Sequence, residues 1–247
     1  MRKGGFMGYG FRIIVEGDNA CFTRPEMKVE RVSYDVPTPC ALEGMIKSVY
    51  WKPSIRYRID KIVVFNPVRF MNIRRNEVKE KIKMSAVTSA MKGKGGSPEL
   101  FINSEMISQR SGMVLRDVRY GVEFHFELTG LRNEHEDECE EKHYNILLRR
   151  LRQGQCFRQP VLGCREFAVK SIRLVESFPF EQISPELEGD TDLGFMLYGM
   201  KYADNSMPVN GNWDDPVFSD KADPVFYRPH MIDGVIDVAA YRRDLKC

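Results

Sequence analysis

The sequence predicts an α+β fold of the ferredoxin-like (RRM-like) type, with elements in the order βαββαβ. Apolar residues recur with period two in the clearest strand segments and at helical spacing in two others, and the two kinds of segment follow one another in that order. A basic insertion interrupts the order, and a small C-terminal antiparallel β-sheet part follows it. We therefore divide the chain into residues 1–175, with the insertion at about 67–113, and a small β domain over 176–247.

Short signals mark the first strand and the first helix. Residues 11–15 form an apolar strand that Gly17-Asp18 ends. Thr38 is an N-cap residue followed by proline, and apolar residues then recur at helical spacing. Because the residue before a proline avoids helical geometry, Pro53 ends this helix soon after Tyr50.

The remaining elements follow the same two periods. Residues 55–65 begin with alternating apolar and polar side chains and residues 118–128 alternate throughout, so both predict strands. Between them, residues 67–113 are the least regular part and predict a mobile basic insertion, with a hairpin as its simplest form. A second helix ends at Gly154, and a strand over 167–175 follows. Short strand candidates make up the C-terminal part: residues 193–202, 225–227 and 235–238.

Composition indicates an ordinary globular protein. The 247 residues are 43% hydrophobic and 29% charged, which excludes a mostly disordered chain. No apolar run approaches the roughly 18 residues of a membrane helix, so we expect no membrane partner. The six cysteines show neither a Cys-x-x-Cys pair nor a zinc spacing, so we expect reduced thiols, a cytoplasmic protein, no metal and no cofactor.

Charge is unevenly distributed along the chain. Residues 47–94 contain thirteen Lys and Arg against three Asp and Glu, a balance of +10. Residues 176–223 contain eleven acids against two lysines, a balance of −9. A basic segment favours a polyanion, so nucleic acid should lie on the N-terminal part. The alternative is that both segments are solvated faces.

The predicted topology brings together two segments more than ninety positions apart. Since the two helices of a ferredoxin-like sheet run antiparallel on one face, Tyr50 at the end of the first lies near Lys142-His143 at the start of the second. These groups suit RNA cleavage without a metal. His143 is the natural general acid or base, Lys142 can stabilise phosphate charge, and Tyr50 can orient a 2′-hydroxyl or act as the base. Judged by residue type alone, the alternative is that Tyr50, Lys142 and His143 have ordinary packing or surface roles.

The start of the second helix raises two questions about this site. On an ideal helix Lys142 points away from the apolar stripe and His143 lies on its flank, so both serve one site only if the first turn is irregular. The run at 134–141 is strongly acidic beside a phosphate site, and we interpret it as a solvated helix start favoured by the helix dipole. A metal site using His135 is the alternative, but it lacks a recognisable spacing.

Seven short motifs stand in a specific order along the chain. Tyr-Trp-Lys-Pro, within 48–53, and Gly-Cys-Arg-Glu-Phe, within 162–167, are the most specific as a set. The other five are Gly17-Asp18, Pro37-Thr38, Asn66-Pro67, Leu115–Tyr120 and Glu141–Tyr144. Together they resemble the fifth CRISPR-associated protein family, subtype d, of type I-C systems. The resemblance runs from about residue 11 to the strand after Phe167, and more loosely to Pro229.

The resemblance implies a member of the RAMP superfamily that itself cuts CRISPR precursor RNA. Such a protein then stays on the 5′ handle of the mature guide RNA within the type I-C surveillance complex, whose backbone and large subunits are its implied partners, with duplex DNA as a further candidate. The resemblance also implies a ferredoxin-like domain with a small C-terminal sheet, and a catalytic set that falls on Tyr50, Lys142 and His143. The longer acidic stretch before Lys142 and the glycine-rich N-terminal lead depart from the family pattern and leave the local geometry open.

We therefore expect a metal-independent endoribonuclease that cuts at the base of a repeat hairpin. Attack by the 2′-hydroxyl should leave a 2′,3′-cyclic phosphate and a 5′-hydroxyl. A non-catalytic subunit that caps guide RNA is the rival interpretation, which a separate repeat-cleaving nuclease encoded nearby would favour. A general RNA-binding module is a third, disfavoured by the ordered motifs. The candidate RNA-binding residues are basic side chains: Lys52, Arg56, Arg58, Arg116, Arg119, Arg158 and Arg165.

Overall fold

The computed structural model describes residues 10–27, 29–94, 96–98, 102–130, 139–204, 207–212 and 214–246. They form an α+β structure with a mostly antiparallel sheet and few helices, as the sequence predicts. The helices are α1 (Pro39–Val49), α2 (Met84–Met91) and α3 (Glu140–Gln153). The strands are β1 (Gly10–Ala20), β2 (Ile55–Val64), β3 (Phe70–Val78), β4 (Ile107–Leu128), β5 (Ser171–Leu174), β6 (Asp190–Asp192), β7 (Met196–Tyr202), β8 (Ala222–Tyr227), β9 (His230–Ile232) and β10 (Val235–Asp237).

Eight strands make one sheet in the order β5-β1-β4-β2-β10-β9-β6, with β3 paired to β4 beside that path. The pairings of β1 with β4 and β5, and of β2 with β4, are antiparallel. Apolar side chains of β1 and β4 pack against α3. The ring of Phe11 in β1 contacts the rings of Phe124 in β4 and Tyr144 in α3. The main core therefore lies between this face of the sheet and the helices.

Helix α1 begins and ends where local chemistry predicts. The Thr38 side chain accepts a hydrogen bond from the Ala41 amide at 3.4 Å, and Pro39 occupies the first helical position. Tyr50 leaves the helix in an extended conformation, with φ −152° and ψ 131°. Helix α3 ends at Gly154 in the left-handed region, with φ 65°. The caps predicted from the sequence are confirmed at both helices.

Several strand boundaries differ from the prediction, most clearly those of β1, β4 and β5. Strand β1 does not end at Gly17-Asp18 but pairs with β4 as far as Ala20. Gly17 is needed there because a Cβ would lie 2.4 Å from Cδ1 of Leu162, so this glycine marks a close approach instead of a turn. Strand β4 begins eleven residues before position 118, since its first half pairs with β3. Strand β5 has four residues, and the chain over 167–170 instead forms an isolated bridge at Ala168 between two bends.

The basic insertion is a hairpin, as predicted. Strand β3 and the first half of β4 pair continuously from Phe70 opposite Leu115 to Val78 opposite Ile107. Helix α2 follows β3 and has no buried residue. We call residues 70–113 the basic arm. Since most of its side chains beyond the first strand are exposed, the arm contributes surface and charge more than core.

The C-terminal part contributes to the main sheet as well as forming its own small sheet. Strand β10 pairs with β2, and β9 and β6 continue the sheet outward. Strands β7 and β8 form a separate antiparallel pair. The division into domains at residue 175 stays a prediction. No helix within the described ranges is long and apolar enough to cross a membrane.

Candidate active site

Tyr50 and His143 meet in the interior, as the topology predicts. The Tyr50 hydroxyl lies 2.8 Å from Nδ1 of His143, and the Ser54 hydroxyl lies 3.3 Å from Nε2 of the same ring. Both ring nitrogens therefore have a hydroxyl partner. Which tautomer the ring adopts depends on which hydroxyl donates its proton. We call Tyr50, Ser54 and His143 the hydroxyl–imidazole cluster.

The end of α1 is held by three contacts that orient Tyr50. The Tyr57 hydroxyl donates to the Tyr50 carbonyl at 2.8 Å. The Arg150 guanidinium donates to the Val49 carbonyl at 2.6 Å and lies 5.2 Å from the centre of the Tyr50 ring. Because Arg150 belongs to α3, one side chain ties the second helix to the end of the first and covers the phenol ring.

The cluster is almost completely buried. His143 is 1% exposed, Ser54 2% and Tyr50 4%. The imidazole also packs nearly perpendicular to the ring of Phe126 of β4, with ring centres 6.2 Å apart. A ribose on the surface of this conformation therefore does not reach Nε2, and catalysis at His143 needs a movement that uncovers it.

His143 lies on the buried face of α3, although on an ideal helix it flanks the apolar stripe that the sequence marks. The buried residues of the helix are His143, Leu147 and Leu151, spaced four positions apart. Lys142 precedes them in the first turn and is half-buried. Tyr50 and His143 are joined by a direct contact. Lys142 is next to His143 in the chain, but successive side chains of a regular helix point about 100° apart, so a site shared by Lys142 and His143 stays a prediction.

Ser54 was not among the residues predicted from the sequence. It directly follows the Tyr-Trp-Lys-Pro motif, and a hydroxyl at that position is the signal that could have identified it. The end of β4 fixes this segment, because the Thr129 amide donates to the Ser54 carbonyl at 2.8 Å and the Thr129 hydroxyl donates to the Pro53 carbonyl at 2.7 Å. The turn after α1 and the end of β4 thus position the serine together.

The predicted RNA-binding residues fall into two groups. Arg58 is paired with Glu127 at 2.9 Å, and Arg119 lies 3.3 Å from Glu16. The other five are exposed, and across the described part of the chain none of them has an ion-pair partner. These five are Lys52, Arg56, Arg116, Arg158 and Arg165. Exposed and unneutralised cations are the ones that can contact phosphate.

A second histidine lies on the opposite face of β4. His125 Nδ1 lies 2.7 Å from Asp60 Oδ2, and Arg242 donates to the other Asp60 oxygen at 2.6 Å. Burial acts to raise the pKa of Asp60, but the hydrogen bonds from His125 and Arg242 outweigh it and lower that pKa below its usual value. Burial likewise acts to raise the pKa of Glu127, but its hydrogen bond with Arg58 outweighs burial and lowers that pKa.

The predicted alternative of a metal site falls outside what the structure describes, because His135 lies in the segment 131–138. Among the residues that are described, no group of three or more His, Cys, Asp and Glu side chains is placed to hold a metal ion. The acidic start of α3 at Glu140 and Glu141 is exposed, as expected of a solvated first turn.

Comparison with known proteins agrees with the motif order. The profile of the family described as CRISPR-associated protein (Cas_Cas5), subtype Cas5d, matches residues 11–239. A protein of Mannheimia succiniciproducens named CRISPR pre-crRNA endoribonuclease Cas5d is 40% identical over 237 residues, which cover 95% of this chain and 97% of the relative. A protein of the same name from Thermus thermophilus is 32% identical over 232 residues, covering 93% of this chain and 91% of the relative.

A solved structure agrees at the level of the fold. A crystal structure titled as a CRISPR-associated protein superposes with a TM-score of 0.60 at 24% identity, covering 92% of this chain and 90% of the other. That likeness concerns the fold alone. The resemblance seen in the seven motifs is confirmed by the family match and by the two relatives, and the chain belongs to the Cas5d family of CRISPR-associated proteins.

Proposed function

We propose that this protein is an endoribonuclease that cuts CRISPR precursor RNA. Two relatives that carry this name align along almost their whole length with the chain. The observation that supports a catalytic role within the chain is the 2.8 Å contact between the Tyr50 hydroxyl and His143 Nδ1, two groups 93 positions apart. A phenol and an imidazole in contact can supply the proton transfers of cleavage through a 2′-hydroxyl, and we propose Lys142, next to His143 in the chain, as the group that stabilises the phosphate charge.

The proposed reaction is a transesterification carried by side chains. One of Tyr50 and His143 accepts the proton of the 2′-hydroxyl, whose oxygen then attacks the neighbouring phosphorus. Lys142 stabilises the charge of the five-coordinate phosphate. The bond from phosphorus to the 5′-oxygen then breaks, and that oxygen takes a proton from the other member of the pair Tyr50 and His143. The products are a 2′,3′-cyclic phosphate and a 5′-hydroxyl. Each step uses groups that this chain supplies, so we propose cleavage without a metal ion at the base of the repeat hairpin.

The buried cluster implies a resting state that opens on RNA binding. The Ser54 hydroxyl is hydrogen-bonded with Nε2 of His143 at 3.3 Å, so the substrate must displace this hydroxyl to reach Nε2. The connection between α1 and β2 contains the exposed residues Trp51 and Lys52 next to the buried Tyr50. We propose that RNA contact at this exposed connection uncovers the imidazole.

We also infer that β1, α1, β2, β4, α3 and β5 are a ferredoxin-like core. The four strands lie side by side in the order β5-β1-β4-β2. Along the chain, α1 follows β1 and α3 follows β4. This order and these crossovers support the ferredoxin-like interpretation. Strand β4 then carries the basic arm as an extension beyond the core.

The exposed cations support a role after cleavage as well. We propose that the protein stays on the 5′ handle of the mature guide RNA, in a cytoplasmic type I-C surveillance complex with its backbone and large subunits, where duplex DNA is a further candidate ligand. Phosphate contacts give such binding its salt dependence, of roughly 0.7 to 0.9 in the logarithmic slope for each phosphate. Replacing Lys79, Lys81 and Lys83 of the basic arm by alanine should reduce the slope, and an unchanged slope would show that the arm does not contact RNA.

A non-catalytic subunit that caps guide RNA is the second candidate, and the burial of His143 favours it. Single-turnover cleavage of a labelled repeat hairpin separates the two. A 2′-deoxy nucleotide 5′ of the scissile phosphate should abolish cleavage while binding is retained, and Lys142→Ala should slow cleavage by about 10²- to 10³-fold. Full activity in excess EDTA is expected. Normal cleavage of the deoxy substrate would falsify the mechanism, and wild-type rates for Tyr50→Phe, Lys142→Ala and His143→Ala alike would favour the capping subunit.

A further inference from the structure

Cys21 and Cys164 lie together although they are 143 positions apart in the sequence. The Cys164 thiol lies 3.6 Å from the Cys21 carbonyl oxygen. The Thr23 hydroxyl lies between the two sulfur atoms, 3.5 Å from Sγ of Cys21 and 3.8 Å from Sγ of Cys164. We call Cys21 and Cys164 the cysteine pair.

The backbone around the cysteine pair is packed closely enough to hold the two thiols in place. The Cys21 amide donates to the Leu162 carbonyl at 3.1 Å. Gly163 has φ 84°, and a Cβ at this position would lie 2.0 Å from the Cys21 carbonyl oxygen. Only glycine permits this approach, so the Gly-Cys-Arg-Glu-Phe motif presses its cysteine against the chain that leaves β1.

The two sulfur atoms differ in environment. Cys21 is 1% exposed, whereas Cys164 is half-buried and accepts a hydrogen bond from the Arg31 guanidinium at 3.6 Å. The hydrogen bond with Cys21, followed by those with Thr23 and Arg31, lowers the pKa of the Cys164 thiol to about 6. The pKa of the Cys21 thiol is raised by the same interaction and by burial. The pair therefore places a half-buried sulfur that an Arg31 guanidinium contacts beside a fully buried one.

We propose that Cys164 and Cys21 are a hydroperoxide-reactive pair that closes into a reversible disulfide. The Cys164 thiolate attacks the O–O bond of a hydroperoxide, which forms a sulfenic acid and releases an alkoxide or hydroxide that takes a proton from water. Sγ of Cys21 then attacks the sulfenic sulfur, the S–O bond breaks, and the oxygen leaves as water with the thiol proton. The two thiols lose two electrons and the hydroperoxide gains them.

Peptide mapping of the full-length reduced protein after hydrogen peroxide treatment tests the proposal. We expect a linked peptide that contains Cys21 and Cys164, with a mass loss of about 2 Da that dithiothreitol reverses. In the variant Cys21→Ser the second step is blocked, so dimedone should label Cys164 as a sulfenic acid. Arg31→Gln should slow the reaction severalfold, because the guanidinium no longer stabilises the thiolate.

Cys156→Ser provides the matched control, since Cys156 is an exposed free cysteine outside the pair. This variant should form the linked peptide at the wild-type rate. Iodoacetamide at pH 7 should also label Cys164 faster than Cys139 or Cys156. The proposal is overturned if Cys139 and Cys156 react at least as fast as Cys164. Peroxide treatment that leaves a stable sulfenic acid on Cys164 of the wild-type protein, without the linked peptide, overturns it as well.

Discussion

The two faces of β4 place two histidines in opposite surroundings. On one face, Phe126 packs against the buried ring of His143, whose partners are the hydroxyls of Tyr50 and Ser54. On the other face, the neighbouring residue His125 is half-buried among the carboxylates of Asp60 and Glu127. Alternation along one strand is sufficient to separate them.

This difference shows how partners decide what an imidazole can do. The hydroxyls around His143 can either donate or accept, so a proton can move along the cluster without building a charge pair. His125 belongs to a network in which Arg242 and Arg58 also bind the carboxylates, at 2.6 and 2.9 Å. We therefore propose proton transfer as the role of His143, and His125 is a member of a structural network of charged groups.

The largest expected effect is on cleavage. His143→Ala should slow single-turnover cleavage of the repeat hairpin by about 10²- to 10⁴-fold, since one general acid or base is lost. The matched variant His125→Ala should stay within a few-fold of the wild type. Because alanine leaves a cavity, His143→Asn should repeat the loss at a melting temperature closer to that of the wild type. Equal losses at both histidines would remove the distinction between the two faces.

The next effect is on the free energy of unfolding. Tyr50→Phe leaves Nδ1 of a buried ring without its hydroxyl, which should cost about 1–3 kcal/mol, as for other buried polar groups that lose a partner. His125→Ala on the opposite, partly exposed face should lower the free energy of unfolding by less than about 1 kcal/mol. Urea denaturation of both variants measures the difference. A greater loss at His125 than at Tyr50 would mean that the ion network carries more of the stability.

The pH dependence of stability should come from the ion network. The pKa of Asp60 is lowered in the folded protein, so its ionised form contributes stability above the unfolded pKa, near 3.9. That contribution is lost as pH falls through the lower folded value. The difference in melting temperature between wild type and Asp60→Asn should be largest near pH 6 and shrink below about pH 4. A difference that grows on acidification contradicts this sign.

The smallest expected effect concerns Ser54. Its hydroxyl is hydrogen-bonded with Nε2 of His143 in the resting state, but it does not move a proton in the proposed reaction. Ser54→Ala should therefore leave the cleavage rate within a few-fold of the wild type, measured under the same single-turnover conditions. A loss as great as that of His143→Ala would place Ser54 among the catalytic residues.

Local signals in the sequence were sufficient to predict where the helices end and which side chains of β4 face the core. Thr38, Pro39 and Gly154 act within a few residues of the helix ends that they determine, so their effect can be read without knowing the rest of the fold. The order of the motifs was likewise enough to identify the family. The meeting of Tyr50 with His143 followed from the order of strands and helices, since topology brings those two ends together.

Contacts between distant segments needed the folded chain. Gly17 has the sequence signature of a turn, but the approach of Leu162 makes it part of a strand. The near-complete burial of His143 and the pairing of Cys21 with Cys164 have no local signature either. Each depends on which side chains arrive from far along the sequence, and close packing in the interior determines that. Residue type and spacing therefore predicted which groups could react, whereas long-range packing determined which of them are covered, paired or exposed.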